Sequence, residues 1–147
     1  MVEAQGFHVP AGAGRPTRVP VAGTWFKAVG ADTGGGFTLL EYLVVADVPV
    51  HTHDREHECL YVLSGEMLVR VGPDQFVAGP GDVVFMPQGV PHALYAQGEV
   101  PPRLLVVSSP SGFETFMEDL MEVLSAGHDR SSPEVAEVRA RHGWRPG

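Results

Sequence analysis

The sequence contains little positive charge, a single cysteine and no long hydrophobic run. Only one of its ten basic residues is a lysine, Lys27, and 18 acidic residues give a formal net charge of −8. Nucleic acids are bound through clustered positive charge, and an anionic membrane surface attracts the same residues. We therefore expect neither nucleic acid nor a membrane as a partner.

Other absences limit the compartment and the topology. The lone cysteine, Cys59, excludes an intrachain disulfide and is typical of a reducing cytoplasm, which is the location we expect. No apolar run approaches the about 18 residues of a transmembrane helix. The first residues lack a basic head followed by an apolar stretch, so we expect no secretory signal.

Glycine and proline are abundant and divide the chain into short segments. Glycine accounts for 18 and proline for 13 of the 147 residues. This abundance excludes a long helical bundle and favours many short strands. We predict an all-β barrel over residues 23–110, preceded by an extended arm over residues 1–22. The predicted strands are Trp25–Val29, Phe37–Ala46, Leu60–Leu63, Glu66–Val71, Gln75–Ala78, Val83–Met86, Ala93–Ala96 and Arg103–Ser108.

The pattern becomes helical in residues 111–147. Apolar residues recur with a helical period from Phe113 to Leu124, which indicates an amphipathic helix. Ser111 and Glu114 have the spacing of a capping box, and Ser132 followed by Pro133 predicts a second, shorter helix. We expect one or two C-terminal helices packed on the barrel, with the acidic residues of the first helix in solvent.

Four of the seven histidines lie in the centre of the sequence, and three of these have the spacing of metal ligands. His51 and His53 are two residues apart, so in an extended segment both imidazoles point to one face. Glu58 begins the next apolar run, and His92 follows a turn-bounded strand. Glu56 and His57 are neighbouring alternatives to Glu58, but consecutive strand residues face opposite sides.

The whole spacing resembles the two motifs of the cupin family. His51-x-His53-x4-Glu58-x6-Gly65 is similar to the first motif, and Gly81-x5-Pro87-x-Gly89-x2-His92 is similar to the second. The stretch HECLYVLSGE also resembles small single-domain bacterial cupins described as quercetinase-like, of the quercetin 2,3-dioxygenase type. Two departures are Ala96, where cupins often carry Asn, and Val48-Pro49-Val50 in place of a Gly-rich turn.

This resemblance implies a jelly-roll (double-stranded β-helix) barrel that holds one divalent transition metal ion, which is Fe, Mn, Ni, Co, Cu or Zn. The ligands would be His51, His53, Glu58 and His92, and the barrel interior would hold an apolar substrate pocket. Dimers are common among such proteins, so we expect a homodimer. The same resemblance makes Glu58 the candidate catalytic residue, accepting a proton from the substrate.

Three functions remain open at the level of sequence. The first is a dioxygenase that acts on a small aromatic or enolic hydroxyl compound bound to the metal. The second is a metal-assisted isomerase or polyketide cyclase that uses no oxygen, and the third is a non-catalytic binding or sensor module. One choice of strand register lines the pocket with Phe37, Leu39, Tyr61, Leu63, Phe85 and Leu94, and a shift of one residue selects their neighbours instead.

Overall fold

Two antiparallel five-stranded sheets face each other in the computed structural model, which describes residues 4–147. The first sheet has the order β1-β2-β9-β4-β7, and the second has the order β10-β3-β8-β5-β6. The strands are β1 Thr24–Ala28, β2 Thr38–Leu43, β3 Val48–His53, β4 His57–Ser64, β5 Glu66–Val71, β6 Asp74–Ala78, β7 Val83–Met86, β8 His92–Gln97, β9 Arg103–Ser109 and β10 Trp144–Pro146. The helices are α1 Gly30–Thr33, α2 Phe113–Ser125 and α3 Pro133–Arg141.

This architecture confirms the predicted all-β jelly roll with two C-terminal helices. The sequence reading missed two strands, β3 and β10, which pair with each other through Trp144 opposite His53. The single-turn helix α1 over residues 30–33 was also not predicted. Both missed strands contain proline. Proline is rare inside strands and common in turns, so its presence argued against a strand at these positions.

The core lies between the sheets and follows the alternation of strand residues. Along β4, Leu60 and Val62 are buried, whereas Tyr61 and Leu63 are exposed. Leu104 and Val106 of β9 lie opposite the buried residues of β4, and the second sheet contributes an equivalent set. The core members are Phe26, Leu40, Val44, Leu60, Val62, Met67, Val69, Ala78, Val84, Met86, Leu94, Leu104 and Val106.

Tight turns between strands explain the glycines of the motif. Gly65 joins β4 to β5 with φ +79°, and a Cβ at this position would lie 2.8 Å from the Pro102 Cα. Any other residue would therefore be strained and would collide with backbone. The motif glycine is required by the turn rather than by chemistry.

Helices α2 and α3 form a second apolar cluster against one end of the barrel. Its buried members are Phe116, Leu120, Val135 and Val138. Ser132 is the N-cap of α3 and accepts a hydrogen bond from the Val135 amide, as its position before Pro133 predicts. The predicted Ser111 cap of α2 is wrong, because the N-cap is Gly112 and no side chain caps this helix. None of the helices over residues 4–147 is long and apolar enough to cross a membrane.

The acidic face of α2 is not simply solvated, which corrects the prediction made for it. Arg18 of the arm contacts three carboxylates of α2, with distances of 2.6 Å to Asp119, 2.9 Å to Glu122 and 3.3 Å to Glu118. Contacts of this exposed type contribute little individually, but three converge on one guanidinium. They attach the arm to the helical extension.

The outer face of the first sheet carries exposed apolar side chains. Tyr61, Val83, Phe85 and Val107 project from three adjacent strands, and each is more than a third exposed. An exposed cluster of this kind often marks an interaction surface. The homodimer remains a prediction.

Glu114 joins α2 to the barrel and provides a test of this packing. Its carboxylate accepts hydrogen bonds from the Gly30 amide at 2.7 Å, the Gly112 amide at 3.3 Å and the hydroxyl of the fully buried Thr38. Glu114→Ala leaves these donors without their partner, so we expect a loss of about 1–3 kcal/mol in the free energy of unfolding. Urea denaturation measures this loss.

The matched control is Glu137→Ala, which removes an exposed carboxylate from α3. This variant should change the unfolding free energy by less than about 0.5 kcal/mol. Equal effects of the two substitutions would contradict the role assigned to Glu114.

Candidate metal centre and cavity

The four predicted ligands come from both sheets and meet at one end of the barrel. His51 and His53 lie on β3, and His92 is the first residue of β8, directly opposite His51 in the ladder. Glu58 is the second residue of β4 in the facing sheet. Its side chain points inward, as do Leu60 and Val62, because the three residues are spaced by two along the strand.

The ligand atoms of these residues are close enough to hold one metal ion. One nitrogen or oxygen from each of His51, His53, Glu58 and His92 lies within 4.8 Å of the others. An ion bonded at about 2.0–2.2 Å to each would hold the atoms within about 4.4 Å. The four ligand atoms are therefore spread slightly more widely than around a bound ion, and side-chain shifts would close the site.

The outer nitrogens of the three imidazoles already have acceptors. His51 Nδ1 lies 2.7 Å from the Pro49 carbonyl, and His92 Nδ1 lies 3.1 Å from the Val90 carbonyl. His53 Nδ1 lies 2.7 Å from Glu56 Oε1. A proton on each Nδ1 leaves the lone pair of Nε2 directed at the centre, which is the arrangement that metal-binding histidines use.

The donor set itself indicates a cation. His92 Nε2 lies 3.2 Å from Glu58 Oε2, and His53 Nε2 lies 3.7 Å from the same oxygen. With Nδ1 protonated, His92 Nε2 and the Glu58 carboxylate are both electron-pair donors, and they repel unless a proton or a metal cation lies between them. The residues present therefore fit a divalent metal ion.

Burial and mutual proximity set the protonation of these groups. Burial, together with the neighbouring His92, lowers the pKa of His51 to about 3, so this imidazole is neutral at physiological pH. Burial alone would raise the pKa of Glu58, but the charge that His53 and His92 carry when protonated lowers it to about 2. Two of the four groups thus need no deprotonation before they bind a metal.

His53 has the opposite tendency. Burial opposes its charge, but the carboxylates of Glu58 and Glu56 raise its pKa above the ordinary value. Glu56 thus acts on this imidazole twice, as an acceptor at Nδ1 and as a nearby negative charge. His57, the other alternative from the sequence, lies on the exposed side of β4, where its Nδ1 accepts a hydrogen bond from the Gln88 amide at 3.0 Å.

The centre opens into a cavity of about 460 Å³ that is largely apolar. Of the residues expected from one strand register, Leu94 lines the cavity, whereas Phe37, Tyr61, Leu63 and Phe85 are exposed. On β2, β4 and β7 the neighbouring residues line it instead, because Glu58 and Leu60 point inward. The apolar lining includes Leu40, Leu60, Met86, Leu94, Val106, Phe113, Phe116, Met117, Leu120 and Trp144.

Trp144 is a component of the site that the sequence did not reveal. Its ring is stacked on the His51 ring, with a centroid distance of 4.2 Å and an interplanar angle of 22°. Its indole N–H donates to His53 Nε2 at 2.8 Å. The residue lies 91 positions after His53, so only the pairing of β10 with β3 brings the two together.

The comparisons with known proteins agree with this geometry. Residues 39–108 match the family model of the Cupin domain, and this segment contains all four candidate ligands. Residues 39–108 are therefore similar to a cupin domain, and the two-sheet jelly roll agrees with that fold.

The protein MJ1618 of Methanocaldococcus jannaschii is 32% identical over 74 residues, which are 46% of this chain and 59% of that protein. The chain thus spans little more than half the length of this curated relative. Among solved structures, KdgF from Halomonas sp. has a TM-score of 0.57 at 18% identity, over 69% of this chain and 93% of KdgF. A predicted oxalate decarboxylase from Thermotoga maritima has a TM-score of 0.52 at 22% identity, over 59% and 78%. At these identities the structural matches show the fold.

Trp144→Phe tests whether the indole competes with a metal for His53. The substitution keeps an aromatic ring against His51 but removes the N–H that occupies the lone pair of His53 Nε2. Since a hydrogen bond contributes about 0.5–1.5 kcal/mol net, we expect zinc affinity to rise about twofold to tenfold. Titration of Zn²⁺ against a competing chelator measures this change.

The control is Trp25→Phe, on β1 away from the centre, which should leave zinc affinity unchanged. Unchanged or weaker zinc binding in Trp144→Phe would show that the indole does not compete for this nitrogen.

Proposed function

We propose that this protein is a metal-dependent oxidoreductase, a cupin dioxygenase that acts on a small aromatic or enolic hydroxyl compound. The observation that carries the proposal is the arrangement of three imidazoles and one carboxylate at the inner end of a largely apolar cavity. A bound divalent ion would supply Lewis acidity and open coordination positions for substrate and dioxygen. Resemblance of the sequence to quercetinase-like cupins supports the choice of oxygen chemistry.

The chain's own residues would hold the ion and the substrate. His51, His53, Glu58 and His92 would provide the ligands, with their outer hydrogen bonds fixing the ring orientations. The apolar side chains around them would exclude water and bind a hydrophobic substrate body. Removal of water strengthens the interaction between the substrate oxygen and the charges of the site.

Glu58 would accept the proton of the substrate hydroxyl. Asp47 also lines the cavity, but Glu58 is the carboxylate that lies with the three histidines, and its Oε2 is 3.2 Å from His92 Nε2 and 3.7 Å from His53 Nε2. A low pKa keeps this carboxylate ionised, so it is available as an acceptor. Aromatic side chains beside the centre, Trp144 and Phe113, would orient a flat substrate against it.

Elemental mass spectrometry on protein purified without a histidine tag is the first test of the centre. We expect close to one divalent transition metal ion per chain, and triple replacement of His51, His53 and His92 by Ala should remove it. No metal in the wild-type protein, even after reconstitution, would contradict the metal-dependent function.

Oxygen-electrode measurements with flavonols and catechols test the reaction class. Oxygen uptake that depends on both metal and substrate is the expected result. Substrate conversion without oxygen uptake would identify the metal-assisted isomerase or cyclase instead, and binding without conversion would identify a sensor module.

Glu58→Gln tests the assigned proton acceptor. The amide is close to the carboxylate in shape but is a much weaker base, so a partial metal site should remain while turnover falls about 10²-fold or more. Steady-state rates at measured metal occupancy separate the loss of turnover from the loss of metal. Glu99→Gln, at an exposed loop position, is the control that should retain full activity, and full activity in Glu58→Gln would contradict the role.

A further inference from the structure

Two arginines at the cavity differ from most others in this acidic chain because no carboxylate pairs with them. Arg15, Arg18, Arg103, Arg141 and Arg145 each have a carboxylate oxygen within 3.3 Å. Arg130 and Arg139 line the cavity, and no salt bridge joins either to an acidic side chain within residues 4–147. With 18 acidic residues in the sequence, this lack of pairing at the cavity is notable.

Arg139 is held in place with an unused donor. It lies near the end of α3, and its Nη1 donates to the Arg130 carbonyl at 3.3 Å. Its Nε is buried and has no hydrogen-bond partner among the described residues. A buried, unpaired donor on a charged group costs free energy. Because Nε has almost no accessible surface, a ligand in the cavity would contact Arg139 through its other guanidinium nitrogens or after a shift of the side chain.

The two charges also act on each other. Burial lowers the pKa of Arg139, and the nearby Arg130 lowers it further. An anion that contacted both arginines would relieve the unfavourable interaction between the two like charges. A guanidinium donates two parallel hydrogen bonds to a carboxylate, which makes this acid group the natural complement.

Trp144 lies between Arg139 and the candidate metal centre. The Arg139 guanidinium carbon lies 5.8 Å from the centroid of the Trp144 ring, on which His51 is stacked at 4.2 Å. Arg139 and His51 therefore both contact this ring. A ligand that reached both Arg139 and the histidines would have to pass the indole, so we expect an apolar body of one or two aromatic rings.

We propose that the ligand of this cavity carries a carboxylate that binds Arg130 and Arg139, while its apolar body extends along Trp144 to the histidines. This inference rests on the proposed function, which assigns the hydroxyl end of the ligand to the metal. It adds the substrate class, which is an aromatic or enolic carboxylic acid. Arg130 and Arg139 are then specificity-determining residues that line the same cavity as the candidate ligands.

The test compares two probes of the same shape, 2-naphthoate and the neutral 2-naphthamide, by isothermal titration calorimetry. The full chain is treated with a chelator first, so that the carboxylate cannot bind a metal ion. We expect the wild-type protein to bind 2-naphthoate at least tenfold more tightly than 2-naphthamide. Equal affinities would overturn the proposal.

Variants then locate the preference. Arg130→Gln and Arg139→Gln should each weaken 2-naphthoate binding about fivefold to tenfold and leave 2-naphthamide binding unchanged, whereas Arg139→Lys should keep part of the preference. The matched control is Arg70→Gln, which removes the same charge from an exposed residue of β5 that does not line the cavity. A preference that survives both cavity substitutions, or that Arg70→Gln reduces equally, would overturn the proposal.

Two further measurements keep the outcomes separate. Arg130 is exposed, so Arg130→Gln decides the result if Arg139→Gln fails to fold. Zinc titration of the same variants reports on the proposed function independently. If the wild-type protein takes up no metal, the metal centre is overturned but the carboxylate site is not. If it takes up metal but binds 2-naphthoate and 2-naphthamide equally, the carboxylate site is overturned and the metal centre is not.

Discussion

The burial of Glu58 against three imidazoles is the constraint on which the rest of the site depends. An ionised carboxylate removed from water costs several kcal/mol unless opposite charge or hydrogen bonds compensate. Here the compensation comes from the facing sheet, through His53 and His92. The interaction therefore links β4 to β3 and β8 across the barrel interior, and it stabilises the barrel end only when the centre carries positive charge.

The same constraint determines where the cavity lies. Because Glu58 points inward, Leu60 and Val62 must point inward too, and they belong to the core that closes the other end of the barrel. One strand thus supplies both the polar centre and part of the apolar packing. The polar end remains open toward the helical extension, where α2 and α3 cover it with Phe113 and Phe116.

Much of this arrangement could be predicted from the sequence, because it depends on local spacing. The alternation along β4, the ligand pattern from His51 to His92 and the helical period of α2 are all read within short windows. The register of the pocket residues was ambiguous since a shift of one position exchanges the two faces. Fixing Glu58 inward resolves this ambiguity, and Leu40, Leu60 and Met86 follow.

Long-range pairing accounts for what the sequence could not reveal. The three residues of β10 are too few to show a strand pattern, and their partner β3 contains Pro49, which reads as a turn. No local signal places Trp144 beside His51, or Arg139 beside the cavity. Each of these contacts depends on how the chain returns to the barrel after α3.

The residues that follow the barrel in sequence also contribute to the cavity. The segment that matches the Cupin domain ends at residue 108 and already contains the four candidate ligands. Arg130, Arg139 and Trp144 all follow it, yet they line the same cavity. Imidazoles and a carboxylate recognise a metal ion and not the body of a ligand, so discrimination between ligands depends on the rest of the cavity lining. That lining combines barrel residues such as Leu40 and Met86 with Arg139 of α3 and Trp144 of β10, so the extension contributes directly to the surface that a ligand would meet.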